Sequence, residues 1–366
     1  MRAVCCRFCR GADGEVVLDL GNVPACEYFP PAADPGPDPL FPLRLWLCGT
    51  CGLAQLADDA DLPDQPEGVE PSALVEQRLD AIRALDAFGL LAPDSIFTEG
   101  TSPHGGSWGP ALKSRGLRRA DPTETADLVV DGCFGLMHAT DQRAALEALV
   151  ARLAPSGSLI LQFHTLGAVL RADQWNAVRL GHYAYYSVPA LMTMLGKLGL
   201  TVTNVRTFPL YGARHLDGTV LLVARRGGSP DESTKAALDD ELSAGVTKPD
   251  ALRALQRSVE MSTSRLRSML AEATRTGLTV YGYSAASRAV ALLYLAGAGV
   301  GLTAIADASG AKHRCRMPGT RIPIVPPEHL VAAAPERVLL FVPDLLPEVR
   351  RSLPTVEETG KWIVCE

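Results

Sequence analysis

Apolar residues in the middle of the chain recur first with a helical period and then in short unbroken runs. From Ala73 onward they stand three and four residues apart, which predicts an amphipathic helix. Residues 95–98 then predict a strand that runs into a glycine-bearing turn at 99–107. Four further apolar runs predict strands, with a helix at 145–153 between the first two: 126–133, 158–164, 198–205 and 218–224. Alternating helices and strands of this kind predict an α/β domain.

The C-terminal third repeats the alternation. A long helix rich in Leu, Ala and Arg is predicted up to about residue 275, and residues 278–287 predict a strand, a turn of small residues and a helix start. Residues 289–306 are apolar for 18 positions, close to the lower limit for a membrane span. Gly297, Gly299 and Gly301 interrupt this stretch, so it predicts a buried helix, a glycine turn and a buried strand instead.

Length and composition place these elements in several domains. The chain has 366 residues, more than one hydrophobic core usually holds, and acidic, proline-bearing residues between about 57 and 72 read as a linker. We therefore expect domains at 1–60, 73–226 and 232–366. A net charge of −6 argues against nucleic acid and favours a small-molecule partner. The first residues lack a secretory signal, so a cytoplasmic location without disulfides or a membrane is expected, and the oligomeric state is open.

Cysteines cluster at the start of the chain and predict a metal site. Cys6 and Cys9 form one C-x-x-C knuckle, and Cys48 and Cys51 form a second. Four thiolates complete the tetrahedral shell that zinc takes and leave no position for water, so this zinc would stabilise the fold. Cys5 could replace Cys6, although only Cys6 gives a gap that matches the second knuckle. The alternative is a set of reduced thiols without an ion.

Several segments together resemble the deoxysugar C-methyltransferase family. The N-terminal part of the resemblance lies in both knuckles and in the motifs Leu18-Asp-Leu-Gly-Asn-Val-Pro24 and Pro42-Leu-Arg-Leu45. Its C-terminal part lies in Met317-Pro-Gly-Thr-Arg-Ile-Pro-Ile324 and Val338-Leu-Leu-Phe-Val-Pro-Asp344. The resemblance implies a small zinc-knuckle domain, a methyltransferase-like Rossmann-type core and a second, smaller Rossmann-like α/β domain. It also implies S-adenosylmethionine as the methyl donor and a nucleotide-linked sugar as the substrate.

The donor site implied by the resemblance is shortened and degenerate. Its candidate residues are Glu99 and Gly100, followed by Gly105 and Gly106, at irregular spacing after the first strand of the core. Asp131, or Asp121, is a candidate contact for the ribose, and a solvated acid at a strand end is the alternative for each. The gap between residues 113 and 126 is too short for the second and third strands of such a sheet with their crossovers.

The segment 175–187 resembles the family segment that carries the general base. Matched residue by residue, His182 falls on the base, while Arg179, Leu180 and Gly181 replace a tyrosine, a histidine and a glutamate. Alkylation of carbon beside a ketone must first remove an α-proton, and an imidazole can do this without a metal. We assign Tyr183 and Tyr185 to the same catalytic cluster and Arg179 to substrate binding. Alternatively, His182 belongs only to an aromatic cluster with the neighbouring tyrosines.

Contacts to the nucleotide sugar are expected from the C-terminal domain. The strand, turn and helix start at 278–287 have the geometry in which phosphate oxygens meet free backbone N–H groups. Tyr281, Ser284 and Arg288 are the candidate residues, and Arg288 replaces, or lies beside, a lysine of the family. His215, in a loop between the closing strands, is a further candidate contact. Surface positions remain the alternative for Arg288 and His215.

The resemblance implies a carbon methyltransferase that acts on a thymidine-diphosphate-type 4-keto-deoxysugar, with His182 as base. The short core supports an alternative, an enzyme that lost the donor and catalyses proton transfer alone, as an epimerase or isomerase. The three replacements before His182 support a second alternative, a non-catalytic relative that binds a sugar nucleotide.

Overall fold

The computed structural model describes residues 3–63, 72–101, 105–210, 213–343, 346–358 and 361–365, with residues 72, 73, 210 and 213–217 described by backbone alone. Three sheets organise this part of the chain, and helices cover them in a mixed α/β architecture, which confirms the predicted fold class. The predicted domain limits stay a prediction.

The first sheet is antiparallel and carries the cysteine knuckles at its ends. Its strands are β1 (Gly14–Pro24), β2 (Leu40–Cys48) and β3 (Ala54–Leu56), and the knuckle Cys48–Cys51 forms the turn between the last two. A fourth strand, β8 (Ala184–Tyr185), comes from the segment of the predicted base and pairs with β3. The zinc-knuckle part of the chain therefore holds the backbone two residues after His182.

The central sheet has the strand order β5-β4-β6-β7-β10-β9. β4 (Ile96–Glu99), β5 (Arg118–Arg119), β6 (Ala126–Asp131) and β7 (Leu153–His164) are parallel, and β9 (Thr201–Leu210) and β10 (Ala213–Arg225) close the sheet antiparallel. β5 has only two residues and no described strand lies beyond it. The short segment between residues 113 and 126 therefore forms only β5 in the position of the second strand, and the described residues contain no third strand.

Helices cover both faces of this sheet because its central strands are apolar on both sides. In β6 five of six residues are buried, and in β7 the run 157–163 is buried throughout. The covering helices are α1 (Ser72–Ala87), α2 (Gly109–Lys113), α3 (Gln142–Ala151), α4 (Leu166–Arg171), α5 (Val188–Gly196) and α6 (Glu232–Ser243). The carboxyl ends of β4, β6 and β7 consequently meet at one edge of the sheet, the usual place for a ligand in open α/β sheets.

The third sheet is fully parallel, in the order β13-β12-β11-β14-β15. Its strands are β11 (Val280–Tyr283), β12 (Ala304–Ala306), β13 (Ile324–Val325), β14 (Arg337–Leu340) and β15 (Trp362–Val364). The associated helices are α7 (Pro249–Leu252), α8 (Ala254–Thr276), α9 (Ser287–Ala296), α10 (Pro327–Ala333), α11 (Leu346–Ser352) and α12 (Pro354–Glu358). This order reverses direction at β11, which creates a crevice beside its carboxyl end.

The apolar stretch 289–306 folds as its glycines predict. α9 ends at Gly297, whose φ of 64° is left-handed, and the chain returns to the sheet as β12. Among the described residues, no helix combines the length and apolarity that crossing a membrane requires.

Shared cores and a buried ion pair join the three parts. One hydrophobic core contains Leu45 of β2, Leu255 of α8 and Val290 of α9. In addition, Arg316 of the C-terminal part binds Asp38 of the first part through both carboxylate oxygens, at 2.6 and 2.7 Å, and both side chains are more than 90% buried. The first part is therefore fixed against both larger parts, and cavities between them have defined walls.

Candidate zinc centre and candidate active site

The four cysteines of the two knuckles converge on one point. The Sγ atoms of Cys6, Cys9, Cys48 and Cys51 lie within 4.8 Å of one another. The Cys6–Cys51 and Cys9–Cys48 sulfur pairs are each 3.5 Å apart, close to the separation of about 3.8 Å that tetrahedral Zn–S bonds impose. The arrangement fits zinc with no open position, and a closed shell of this kind stabilises the fold.

Backbone geometry supports the thiolate form of this cluster. The N–H groups of Phe8 and Cys9 both donate to Cys6 Sγ at 3.4 Å. Hydrogen bonding from Cys51, together with these amides, holds the pKa of the Cys6 thiol well below its usual range. Cys5 is exposed and lies outside the cluster, so the ligand of the first knuckle is Cys6.

A cavity of about 470 Å³ lies where the central sheet meets the C-terminal part. Its floor is formed at the carboxyl ends of β6 and β7, and its opposite wall is the turn between β11 and α9. A volume of this size lies within the range of small-molecule binding sites. The polar and charged residues on its wall include Glu27, Asp131, Gln162, His164, Arg179, His182, Ser287, Arg288, Asp307 and Lys312.

His182 lies in this wall and its side chain is buried. Its Nε2 accepts a hydrogen bond from Nε of Arg179 at 3.0 Å. A guanidinium can only donate, so Nε2 carries the lone pair of a neutral ring and the ring proton is on Nδ1. The predicted base is therefore in its basic form, with the lone pair directed at Arg179.

Arg179 bridges the base and the C-terminal wall of the cavity. Besides its bond to His182, it donates from NH1 to Oγ of Ser287, the first residue of α9, at 3.0 Å. The hydroxyl of Tyr185 accepts from the Arg179 amide at 2.9 Å and donates to its carbonyl at 3.3 Å. Burial raises the pKa of Tyr185, so this hydroxyl stays protonated and fixes the Arg179 backbone.

His138 packs against the base and His164 lies in the same cavity wall as the base, and the sequence pattern singled out neither. The rings of His138 and His182 meet edge to face with centroids 4.5 Å apart, and Nδ1 of His138 donates to the Gly181 carbonyl at 2.8 Å. His164 stacks on Phe134 at 4.7 Å. Burial, with the positive charges of Arg288 and Arg179, lowers the pKa of His164 to about 3, so it is neutral. No spacing rule connects these residues; only the position of His164 at the end of a buried apolar run could have drawn attention to it.

The turn after β11 presents unsatisfied backbone and cationic side chains to the cavity. Ser284 has a left-handed φ of 72°, and the N-cap of α9, Ala286, offers no side-chain acceptor to the first amides of the helix. Arg288 and Lys312 line the same wall. Lys312 donates to the Ala285 carbonyl at 2.7 Å and lies 3.8 Å from the carboxylate of Asp307, which accepts from the Ala285 amide at 2.7 Å. This wall is suited to an anion.

Only some of the residues predicted to bind the methyl donor line the cavity. Gly105 and Asp131 line the cavity, whereas Glu99, Gly100 and Gly106 are not in its wall. Burial raises the pKa of Asp131 to about 6, although the Leu136 and Gly135 amides hydrogen-bond its carboxylate. The Gly100 amide donates to the Val130 carbonyl and links β4 to β6.

Glu99 is engaged in holding the loop after β4. Its carboxylate accepts from the Ser107 hydroxyl at 2.7 Å and from the amides of Trp108 and Gly109 at 2.9 and 3.2 Å. The Trp108 indole is fully buried and donates to the Gly132 carbonyl at 3.0 Å, and a Cβ on Gly132 would come within 2.1 Å of its ring. The indole thus fills the space between the ends of β4 and β6.

Other predicted site residues lie away from the cavity. Tyr183 is not in its wall, and its ring is covered by the Arg7 guanidinium at 4.7 Å. Tyr281 is buried with its ring facing His329 at 6.3 Å, whereas its neighbour Ser284 does line the cavity. His215 belongs to β10, but its side chain lies outside the described part of the structure, and Asp121 is exposed.

Comparisons with known proteins agree with the zinc centre and the C-terminal motifs. Residues 217–365 match the family model described as "C-methyltransferase C-terminal domain", and residues 6–64 match the one described as "Putative zinc binding domain". C-methyltransferase NovU of Streptomyces niveus is 25% identical over 98% of this chain and 94% of its own length.

Solved methyltransferase structures show partial likeness. The 1,6-didemethyltoxoflavin-N1-methyltransferase of Burkholderia thailandensis covers 48% of this chain and 96% of its own, at 16% identity and a TM-score of 0.28. The N-methyltransferase NodS of Bradyrhizobium japonicum WM9 covers 44% of this chain and 100% of its own, at 19% identity and a TM-score of 0.28.

Proposed function

Because the chain belongs to the C-methyltransferase family, we propose that it methylates a carbon beside the ketone of a nucleotide-linked 4-keto-deoxysugar of the thymidine-diphosphate type. One observation carries the proposal: His182, in its basic form, lies in the same cavity as an uncapped helix N-terminus flanked by cations. The first feature suits removal of a carbon-bound proton and the second suits a diphosphate.

The substrate's orientation follows from the two walls. The diphosphate would lie at the N-terminus of α9, where Arg288 and Lys312 add positive charge. The sugar would then extend toward the ends of β6 and β7, where Gln162 and His182 lie. Oε1 of Gln162 is buried and has no hydrogen-bond partner in the described residues, so a sugar hydroxyl would satisfy it.

The proposed donor is S-adenosylmethionine, and the cavity fits it at the end formed by Gly105 and residues 131–134. Among the described residues, a Cβ on Gly105 would meet nothing within 4 Å, and Gly105 lines the cavity together with Asp131. When bound, the donor supplies an electrophilic methyl group. Gly105 and Asp131 would hold it, and the aromatic pair of Phe134 and His164 would exclude water at its edge.

The chain's own contribution to the chemistry is proton removal. The Nε2 lone pair of His182 takes the α-proton, and the resulting imidazolium remains beside the ring of His138 and, farther along the wall, the neutral ring of His164. Tyr185 acts as a positioning residue, since its hydroxyl holds the backbone of the segment that precedes the base. The oxygen of the developing enolate would be met by cationic groups of the wall.

The test combines binding with isotope exchange. We expect calorimetry to show micromolar S-adenosylmethionine binding and mass spectrometry to show a methylated sugar nucleotide. His182→Ala should abolish both methylation and solvent deuterium uptake at the α-carbon. His329→Ala is the matched control, because His329 is exposed and outside the cavity wall. Full methylation by His182→Ala would refute the assignment of the base.

A second candidate is proton transfer without methylation. It is favoured by the engagement of Glu99 with α2, the Trp108 indole between β4 and β6, and the two-residue strand β5. These features shorten the donor end of the cavity. Deuterium uptake into the keto sugar without measurable S-adenosylmethionine binding would establish this candidate instead of the first.

A further inference from the structure

Arg179 occupies a position that the proposed mechanism leaves unexplained. Its guanidinium contacts the base through Nε and the first residue of α9 through NH1, two side chains that are 105 positions apart in the sequence. Of its five N–H groups, three have no acceptor within the described ranges, and no carboxylate of those ranges forms an ion pair with it. A cation so placed in a cavity wall lacks its counter-charge.

The bond from Arg179 has a chemical consequence for His182. The lone pair that would remove the proton is the same lone pair that accepts from Nε of Arg179. While this bond persists, Nε2 cannot take a proton from carbon. A protonated ring would also face a guanidinium 3.0 Å away, which like-charge repulsion opposes. The arrangement seen here is therefore a resting state of the base.

We propose that Arg179 masks His182 until an anionic ligand, the diphosphate of the nucleotide sugar, occupies the N-terminus of α9 and draws the guanidinium away from the imidazole. The inference rests on the proposed function and adds a control step to it: the base becomes available only when the substrate's diphosphate is in place. Arg179 is thus a positioning residue that couples the anion-binding wall to the base.

Three features of the wall favour this movement. Ser287 already holds NH1 of Arg179 at the first residue of α9, so the guanidinium needs only to turn about that contact. Its unused N–H groups and the uncapped amides of α9 would bind the same phosphate oxygens. Tyr185 fixes the Arg179 backbone, so the side chain moves without displacing the segment that carries the base.

The decisive experiment observes His182 directly. Full-length, zinc-loaded protein labelled with ¹⁵N-histidine is titrated with inorganic pyrophosphate, and the Nε2 resonance of His182, assigned through His182→Gln, is followed. In the wild type, pyrophosphate should move this resonance to the position that Arg179→Ala shows without ligand. Arg179→Ala should not respond further. Arg206→Ala, which removes an exposed arginine on β9, is the matched control and should respond as the wild type does.

A second variant separates charge from bridging. Arg179→Lys keeps the positive charge but lacks the fork that reaches both His182 and Ser287. It should bind pyrophosphate within about tenfold of the wild-type affinity, as expected for loss of one charged hydrogen bond, and show the unmasked resonance without ligand. A wild-type resonance that stays fixed at saturating pyrophosphate, an absence of pyrophosphate binding, or an equal response in Arg179→Ala would overturn the proposal.

An exchange assay connects the switch to catalysis. With a keto sugar that lacks the diphosphate, pyrophosphate should accelerate deuterium uptake on the order of tenfold or more in the wild type and leave the rate of Arg179→Ala unchanged. Methylation of the intact substrate with a fixed His182 resonance would reject the switch and leave the proposed function standing. A responding resonance with neither methylation nor deuterium uptake would reject the proposed function alone.

Discussion

Buried ionisable side chains outside the cavity influence how this protein responds to pH. Glu241 of α6 is 2% exposed, and its carboxylate accepts from the Val188 amide at the start of α5. Burial is the main cause that raises its pKa from 4.5 to about 7, and hydrogen bonds from the Val188 and Gly167 amides, with the charge of Arg171, only partly oppose it. The side chain connects α6 to α5, and its ionisation is unfavourable because water does not reach the buried carboxylate.

This carboxyl group predicts a pH-dependent stability. Between pH 4.5 and about 7 the folded state keeps a proton that the unfolded state has lost, so the free energy of unfolding falls as pH rises through this window. Glu241→Gln removes the effect. We expect the variant to gain up to roughly 3 kcal/mol relative to the wild type between pH 5 and pH 8, measured by urea unfolding.

The control for this prediction is Glu232→Gln, which changes an exposed glutamate on the same helix. Its stability difference from the wild type should be the same at both pH values. An equally constant difference for Glu241→Gln would contradict the assigned cause. Because zinc affinity also falls at low pH, the bound metal is quantified at each pH.

At the scale of elements, the pairing of β8 with β3 connects the zinc centre to the candidate active site. The ladder joins Ala54 to Tyr185 and Gln55 to Ala184, immediately after the knuckle that ends at Cys51. A short three-residue strand such as β3 has little stability of its own, so the metal shell keeps it in place. We therefore expect the segment of His182 to depend on a zinc ion that lies outside the cavity.

Loss of a zinc ligand should consequently loosen the base segment. For Cys48→Ser we expect the zinc content to fall from about one per chain to a small fraction, and the amides of Ala184 and Tyr185 to exchange faster with deuterium. Metal analysis and hydrogen-exchange mass spectrometry measure the two effects. Cys5→Ser is the control, since Cys5 lies outside the cluster and should leave both unchanged. Unaltered exchange in zinc-free Cys48→Ser would disprove the coupling.

For the whole molecule, the buried pair of Asp38 and Arg316 fixes the first part against the C-terminal part. Removal of one partner leaves an uncompensated buried charge, whereas removal of both does not. We expect Arg316→Met alone to lower the free energy of unfolding by about 3–5 kcal/mol. The double variant with Asp38→Leu should recover most of that loss.

A double-mutant cycle measured by chemical unfolding tests this prediction. Arg321→Ala serves as the control for removing a positive charge nearby, because Arg321 is exposed and, among the described residues, donates only to the loop carbonyls of Asp34 and Pro35. Additive losses in the double variant would show that the pair does not act as a unit.

The sequence alone determined the features that depend on local spacing. Two C-x-x-C knuckles predicted the zinc site, because cysteines three positions apart can bind one ion, and the structure then decided for Cys6 over Cys5. Helical periodicity and unbroken apolar runs predicted α1, β6, α9 and β12, since each element buries a face set by its own period. The resemblance likewise singled out His182 through a short contiguous motif, and its assignment as the base stays a prediction.

Tertiary structure decided which side chains meet. Arg179 contacts Ser287 across 108 positions, and His138 meets His182 across 44, and no local period encodes such distances. From the sequence, the carboxylate of Glu99 could have faced a ligand or the start of α2. The course of the following loop brings the amides of Trp108 and Gly109 to this carboxylate, so it binds the start of α2. Local patterns fix what each segment can bury, whereas the contents of a cavity depend on how separate segments pack against one another.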